Sequence, residues 1–254
     1  MRITIKIGSN VLTRKDGSLD VTRMSALVDQ IATLRADGHE IILVSSGAVA
    51  SGRSELKHIQ HDLDSVDQRQ LFSAVGQAKL INRYFELFRE YSIPVGQVLT
   101  TKENFSDSEH RKNQENCMRV MLENGVLPIV NENDTVSVTE LMFTDNDELS
   151  GLIAKMTNSQ MLIILSNIDG VFTGNPDNPE SRLISIVKPG KSLEDYIQAS
   201  KSSAGRGGMK SKSSVAQQTA AAGISVIIAN GKRDDILVRL MNDRDNTPCT
   251  EFLC

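Results

Sequence analysis

Three short apolar runs constrain this chain more than any other feature. "EIILVSS" (40–46), "QMLIILSN" (160–167) and "ISVIIAN" (224–230) are almost uninterrupted in apolar character. They are too short for typical helices, and no run approaches the ~20 residues of a membrane span. A strand apolar on both faces must be covered on both faces, as in a mainly parallel sheet clad in helices. The intervening segments supply those helices. Met24, Leu27, Val28, Ile31 and Leu34 recur at three- and four-residue steps, and the pattern stops near Gly38. Further helices are predicted at 69–91, about 108–124, from about Asp145, and about 208–222. "RITIKIG" (2–8), "IPVGQVLT" (93–100) and "VLPIVN" (126–131) complete the strands. The first alternates, with Ile3, Ile5 and Ile7 on one face and Arg2, Thr4 and Lys6 on the other. The β-α-β-α order predicts an α/β fold, as two lobes on one sheet rather than two domains joined by a linker. The Pro/Asn-rich "FTGNPDNPESRLIS" (172–185) reads as a surface excursion.

The 254 residues carry a formal net charge of −4, which argues against a general nucleic-acid or anionic-membrane binder. A chain of this balance that handles anions must concentrate its lysines locally. Cys117, Cys249 and Cys254 show no CxxC pairing, consistent with a reduced compartment. His58 and His61 are three apart, but no cysteine or acidic partner completes a metal set, so no metal site is predicted. "MRITIKIGSN" is charged and short, unlike a secretory leader, and the expected location is cytoplasmic.

Ligands of such sheets sit beyond the C-terminal strand ends. Six polar stretches, most of them containing glycine, fall at or near those ends. Strand one ends "KIGSN", with Lys6 and Gly8; strand two ends "SSGAVASG", with Ser46 and Gly47 feeding a helix N-terminus. "NENDTV" (131–136) follows the strand at 126–131, and "TDNDELSG" (144–151) opens a helix. "SNIDGVFTGNP" (166–176) follows another strand, and "AGRGGMKSKSS" (204–214) opens the helix at 208–222. Taken singly, each also reads as an ordinary turn, cap or solvated loop. Together they bring lysines, aspartates and free backbone amides to one edge, a mixture suited to phosphoryl transfer. A Rossmann dehydrogenase needs GxGxxG after strand one, and "GSNVLT" lacks it. A serine hydrolase needs GxSxG and a histidine, and no histidine lies in these stretches. "GRGGMKSK" also lacks the Walker spacing.

The set "KIGSNVLT", "VSSGAVASGR", "VGQAKL", "PIVNENDTV", "TDNDELSG", "DGVFTGNP" and "GGMKSK" resembles the amino acid kinase family, in the family's order and over nearly the whole length. It is most similar to the branch that phosphorylates the side-chain carboxylate of L-glutamate. The resemblance implies a three-layer α/β/α sandwich over residues 1–254. A substrate-side lobe would cover about 1–160, and a nucleotide-side lobe about 161–254. It implies ATP and L-glutamate as substrates, L-glutamyl 5-phosphate as product, magnesium as cofactor and a place at the first step of proline biosynthesis. It implies Lys6, Asp147 and Lys212 as the catalytic set, with the aspartate holding the two lysines. Ser46, Gly47, Asp134 and Asn146 match substrate-contacting positions, with Asp134 suited to a substrate ammonium. Lys6, Gly8, Ser166, Asn167, Arg206, Gly207, Gly208, Met209, Lys210, Ser211 and Lys212 match nucleotide-contacting positions. A homo-oligomer (dimer or tetramer) and feedback inhibition by proline are further family traits.

The chemistry is consistent with this from below. A side-chain carboxylate with a pKa of about 4.3 is already ionised at pH 7, so no general base is required. Lys210 and Lys212 lie two residues apart on a helix, about 200° around it, so only one can face the phosphates; the resemblance selects Lys212. Two departures stand out. Ser166-Asn167 replaces the family's common Thr-Asp, which loses a charge beside the nucleotide. The chain ends at "TPCTEFLC", about where the kinase fold would finish, so a form without the C-terminal PUA-type domain is expected. The polar stretch 54–70 reads equally as a substrate lid, a feedback site or a solvated loop. Two other readings keep the fold: a kinase for a different carboxylate or phosphate acceptor, and a catalytically silent amino-acid sensor.

Overall fold

The structure, a computed structural model, describes residues 1–56, 62–137, 143, 145–193, 196 and 208–254. His58, His61, Arg206 and Gly207 lie outside the described residues. In chain order the elements are β1 (Arg2–Ile7), α1 (Ser9–Leu12), α2 (Val21–Ala36), β2 (Glu40–Ser45), α3 (Ala48–Glu55), α4 (Ser65–Arg89), β3 (Val95–Thr100), α5 (Glu103–Ser106) and α6 (Ser108–Glu123). They continue as β4 (Leu127–Glu132), α7 (Asn146–Met156), β5 (Met161–Ser166), β6 (Ile186–Val187), α8 (Met209–Ala220), β7 (Ser225–Asn230), α9 (Ile236–Asn242) and β8 (Cys249–Phe252). The sheet has eight strands in the order β3-β4-β2-β1-β5-β7-β8-β6. β7 and β8 pair antiparallel, and the other strand ladders among the described residues are parallel.

The expected α/β/α layering is present. One face carries Ile3, Ile5, Ile7, Leu43, Ile129, Ile163 and Ile227 against α2, α4 and α9, through Met24, Leu27, Tyr84, Phe88, Ile236 and Leu237. The other face holds two separate cores. Ile42, Val44 and Val130 meet Met118 of α6 and Leu149 and Ile153 of α7. Leu162, Ile164, Val226 and Ile228 meet Ala216 and Ala220 of α8. β1 runs between these two cores, so its polar face is buried too: Thr4 is fully covered and shares a hydrogen bond with Ser159 (2.9 Å). The alternation in "RITIKIG" therefore separates an apolar interior face from a polar interior face. That polar seam leads to Lys6 at the functional edge.

Several boundaries follow from local chemistry. α2 stops where Gly38 takes φ +83° and its N–H bonds to the Arg35 carbonyl, at 3.0 Å. α4 begins at Ser65, earlier than apolar periodicity predicts. Asp64 caps it, accepting from the N–H groups of Val66 and Asp67, both at 2.8 Å. Residues 65–70 of the polar 54–70 stretch therefore belong to α4, with Arg69 in its first turns, and residues 57–61 of the stretch lie outside the described residues. The 172–185 excursion is closed by an antiparallel bridge between Phe172 and Leu183. No helix among the described residues is long and apolar enough to cross a membrane.

α3 and α4 cross at two glycines. A Cβ on Gly76 would collide with the Ala48 carbonyl, and one on Gly52 with the Phe72 carbonyl. Backbone meets backbone, so no side chain can rotate away. This crossing fixes the helix that follows Ser46 and Gly47. Gly76→Ala is expected to destabilise the fold by about 1–3 kcal/mol or more, measured by urea unfolding, despite alanine's higher helix propensity.

Candidate active site

The site forms along the C-terminal edge of the sheet, from the end of β4 to the end of β7. At its centre Asp147 is completely buried in the first turn of α7. Its Oδ1 lies 2.6 Å from Lys6 Nζ of β1, and its Oδ2 accepts a 3.0 Å hydrogen bond from Lys212 Nζ of α8. Both lysines are nearly buried, at 4% and 9% exposure. Burial alone would push the Asp147 carboxyl up, but the two lysine charges and their hydrogen bonds outweigh it and hold the group below the usual carboxylate range. Lys210, two residues away, is exposed. Of these two lysines, Lys212 is the one that contacts Asp147.

Asp145 sets the entry of α7 by accepting from the Asp147 and Glu148 N–H groups, at 2.9 and 3.1 Å. Its other oxygen takes a 2.5 Å hydrogen bond from Ser211 Oγ at the start of α8. Gly208 is the N-cap residue of that helix, and Met209 packs on the adjacent core. α7 and α8 thus meet at their N-termini through two polar contacts, Asp145–Ser211 and Asp147–Lys212.

Gly8 follows Lys6, and a Cβ there would sit 3.2 Å from the Leu165 carbonyl and 3.4 Å from Lys6 Nζ. Ser46 continues from β2, its N–H bonded to the Ile7 carbonyl at 3.0 Å. Gly47 takes φ +107° and starts α3, a left-handed conformation that glycine adopts at least cost. Asn146 Nδ2 donates to Ser46 Oγ (3.0 Å) and Asn131 Oδ1 (2.9 Å), while Asn131 donates to Gln77 (2.8 Å). Below them, the buried Tyr84 hydroxyl and Ser45 Oγ share a 2.8 Å hydrogen bond. Burial raises the Tyr84 pKa, so the phenol stays neutral.

Beyond this row, Asp134 does not stand alone. Arg69 Nε donates to Asp134 Oδ1 at 2.6 Å, and Arg69 Nη2 reaches Glu132 Oε2 at 2.5 Å. Glu132 Oε1 also accepts from Ser137 Oγ (3.0 Å) and Phe143 N (2.9 Å). Burial, then the neighbouring Asp134 charge, push the Glu132 carboxyl up, while Arg69 opposes them. On the opposite side, Ser166 is buried at the end of β5 and Asn167 is exposed. There Arg233 grips Asp169 through two 2.6 Å hydrogen bonds, and Asn230 adds a third at 3.0 Å.

Of the predicted residues, Lys6 and Lys212 both contact Asp147, Ser46 meets Asn146 and Asp134 meets Arg69, while Ser166 and Asn167 lie on the opposite side and Lys210 is exposed. Arg69, Glu132, Asn131 and Gln77 were not foreseen as site residues, and neither was the Asp169–Arg233 fork. For Arg69 the missed signal was the Asp64 cap, which makes its stretch helical and turns it toward "NENDTV". Among the described residues no group of three or more His, Cys, Asp or Glu could hold a metal ion.

The chain belongs to the amino acid kinase family, whose model matches residues 1–230. It is similar to the glutamate 5-kinase of Bacteroides thetaiotaomicron, with 70% identity over 252 residues, 99% of this chain and 70% of the relative. It is 46% identical over 238 residues to the glutamate 5-kinase of Chlorobaculum tepidum, 93% of this chain and 65% of that relative. Its fold also matches a solved isopentenyl phosphate kinase, with TM-score 0.69 and 18% identity over 99% of this chain and 100% of that one.

The raised Glu132 pKa has a defined sign. The folded state holds the Glu132 proton more tightly than the unfolded chain does. Wild-type stability is therefore reduced as pH rises from about 4.3 through the raised folded value. Glu132→Gln lacks this term, so its stability relative to wild type should increase between pH 4 and 7, measured by chemical denaturation at each pH.

Proposed function

We propose that this chain transfers the γ-phosphoryl group of ATP to the side-chain carboxylate of L-glutamate. The products are ADP and L-glutamyl 5-phosphate, the activated acid that opens proline biosynthesis. The observation that carries the reading is the buried Lys6–Asp147–Lys212 triad. Two cations share one anion, leaving a net positive charge where a polyanionic donor must meet an anionic acceptor. The substrate identity rests on the similarity to glutamate 5-kinases over nearly the whole chain.

Each group then has a task. Lys6 and Lys212 offset charge on the transferring phosphoryl oxygens, and Asp147 fixes both ammonium groups before substrates arrive. Because the folded site already holds them in place, little reorganisation is needed at the reaction. Gly8 and the Gly208–Lys212 turn let backbone approach the phosphates, and Ser166 and Asn167 border the nucleotide. Ser46, Gly47 and Asn146 hold the acceptor carboxylate near the lysines, and Asp134 takes the substrate ammonium. The carboxylate is its own nucleophile, so the reaction requires no histidine or other general base. Magnesium enters with ATP as part of the substrate, coordinated mainly by phosphates and water. No resident metal centre is assigned.

Three measurements test this. Glutamate-dependent ADP release, with the acyl phosphate trapped as hydroxamate, should occur with glutamate and not with aspartate, acetylglutamate or carbamate. Lys212→Ala should lower kcat by at least about 100-fold, while Lys210→Ala stays near wild type; the reverse result would overturn the register. Asp134→Ala should raise the glutamate KM far more than the ATP KM, and equal increases would remove Asp134 from ammonium recognition.

A further inference from the structure

An amino-acid substrate carries two charges on its α-carbon, and only the ammonium has so far been given a partner. We propose that Arg69 binds the α-carboxylate of the substrate, so that the Arg69–Asp134 ion pair reads the whole zwitterionic head group. This rests on the function proposed above and extends it to a residue outside the predicted set.

Three observations converge on Arg69. The first is position. In the sheet order, β4 is separated from β1 by β2 alone, which puts the β4 and β1 ends two strand spacings apart, ~10 Å. The Arg69–Glu132–Asp134 cluster stands at the β4 end, Lys6 ends β1, and Ser46 with Asn146 lies between. A five-carbon dicarboxylate lying across these ends has its head group at the first and its side-chain carboxylate turned toward the second.

The second is charge. The site is electrically polar: two lysines against one aspartate on the phosphate side, one arginine against two carboxylates on the β4 side. The net negative end favours an ammonium. An α-carboxylate beside that ammonium requires a cation at the same end, and Arg69 lies in direct contact with Asp134. Its planar fork matches a carboxylate as lysine's point charge does not.

The third is desolvation. The Asp134 and Glu132 side chains are 8% and 4% exposed and that of Arg69 is 16% exposed, so these charges need partners with or without substrate. Without substrate they hold one another. With substrate, each half of the ion pair gains the complementary half of the zwitterion, and no buried charge is left unmatched. The arginine is itself held in place by its position in α4 and by its contacts with Glu132 and Asp134, so little reordering is needed on binding.

The test compares L-glutamate with its α-amide (isoglutamine), which keeps the ammonium and the γ-carboxylate and loses only the α-carboxylate charge. Each is measured as substrate, or as competitor of glutamate, in the wild type and in Arg69→Gln, with ATP KM and thermal unfolding recorded alongside. Arg69→Gln should raise the glutamate constant about 10–100-fold and leave that of isoglutamine within about threefold, with ATP KM unchanged. Arg69→Lys, which keeps the charge and loses the fork, should fall between and carries the same comparison if the glutamine variant does not fold. Equal losses on both ligands would reduce Arg69 to a support for Asp134 and overturn the assignment. Wild type that does not distinguish the two ligands would also overturn it. Wild type without glutamate turnover would instead sink the functional reading, and this inference with it.

Discussion

Asp147 lies wholly inside the protein with a lysine on each carboxylate oxygen, and the site is arranged around that contact. Its three members come from β1, α7 and α8, so the triad ties the central strand to the opening turns of two helices. Losing either lysine would leave the remaining charges in a nearly dry site; losing the aspartate would set two ammonium groups against each other. The arrangement persists because the folded backbone places all three together, and the same placement concentrates positive charge at the strand ends.

From that centre the site changes sign across the sheet. Asn146, next to Asp147, links Ser46 and Asn131 in one hydrogen-bonded row. The row ends at Arg69, Glu132 and Asp134, where two carboxylates share a single guanidinium. The two ends treat carboxyl groups oppositely. Lysines hold the Asp147 carboxyl below its ordinary range, while burial and a like charge raise that of Glu132. A substrate with an ammonium at one end and a reactive carboxylate at the other fits this gradient in one direction only.

The supporting packing is asymmetric. One face of the sheet rests on a continuous core, and the other on two cores with the polar side of β1 between them. That seam lets a lysine end an interior strand without exposing its stem to water, with Thr4 and Ser159 satisfying each other below it. The glycine crossing of α3 and α4 anchors the Ser46 turn with backbone contacts, which hold position more firmly than flexible side chains do.

The sequence by itself determined the layered α/β architecture, because continuous apolar runs such as "QMLIILSN" need cover on both faces. Local turn chemistry at strand ends and helix starts also marked the stretches that hold Lys6, Asp147 and Lys212, and the resemblance singled out those three residues. Helical geometry alone required Lys210 and Lys212 to diverge, and resemblance was needed to choose between them. Tertiary structure decided the rest. Arg69 lies more than sixty positions from Glu132 and Asp134, and no local pattern encodes their meeting. The Asp169–Arg233 fork likewise joins two strand ends that are adjacent only in the sheet. Periodicity and capping act over a few residues and can be read along the chain, whereas ion pairs between distant segments exist only once strand order and helix crossings have fixed where each segment ends.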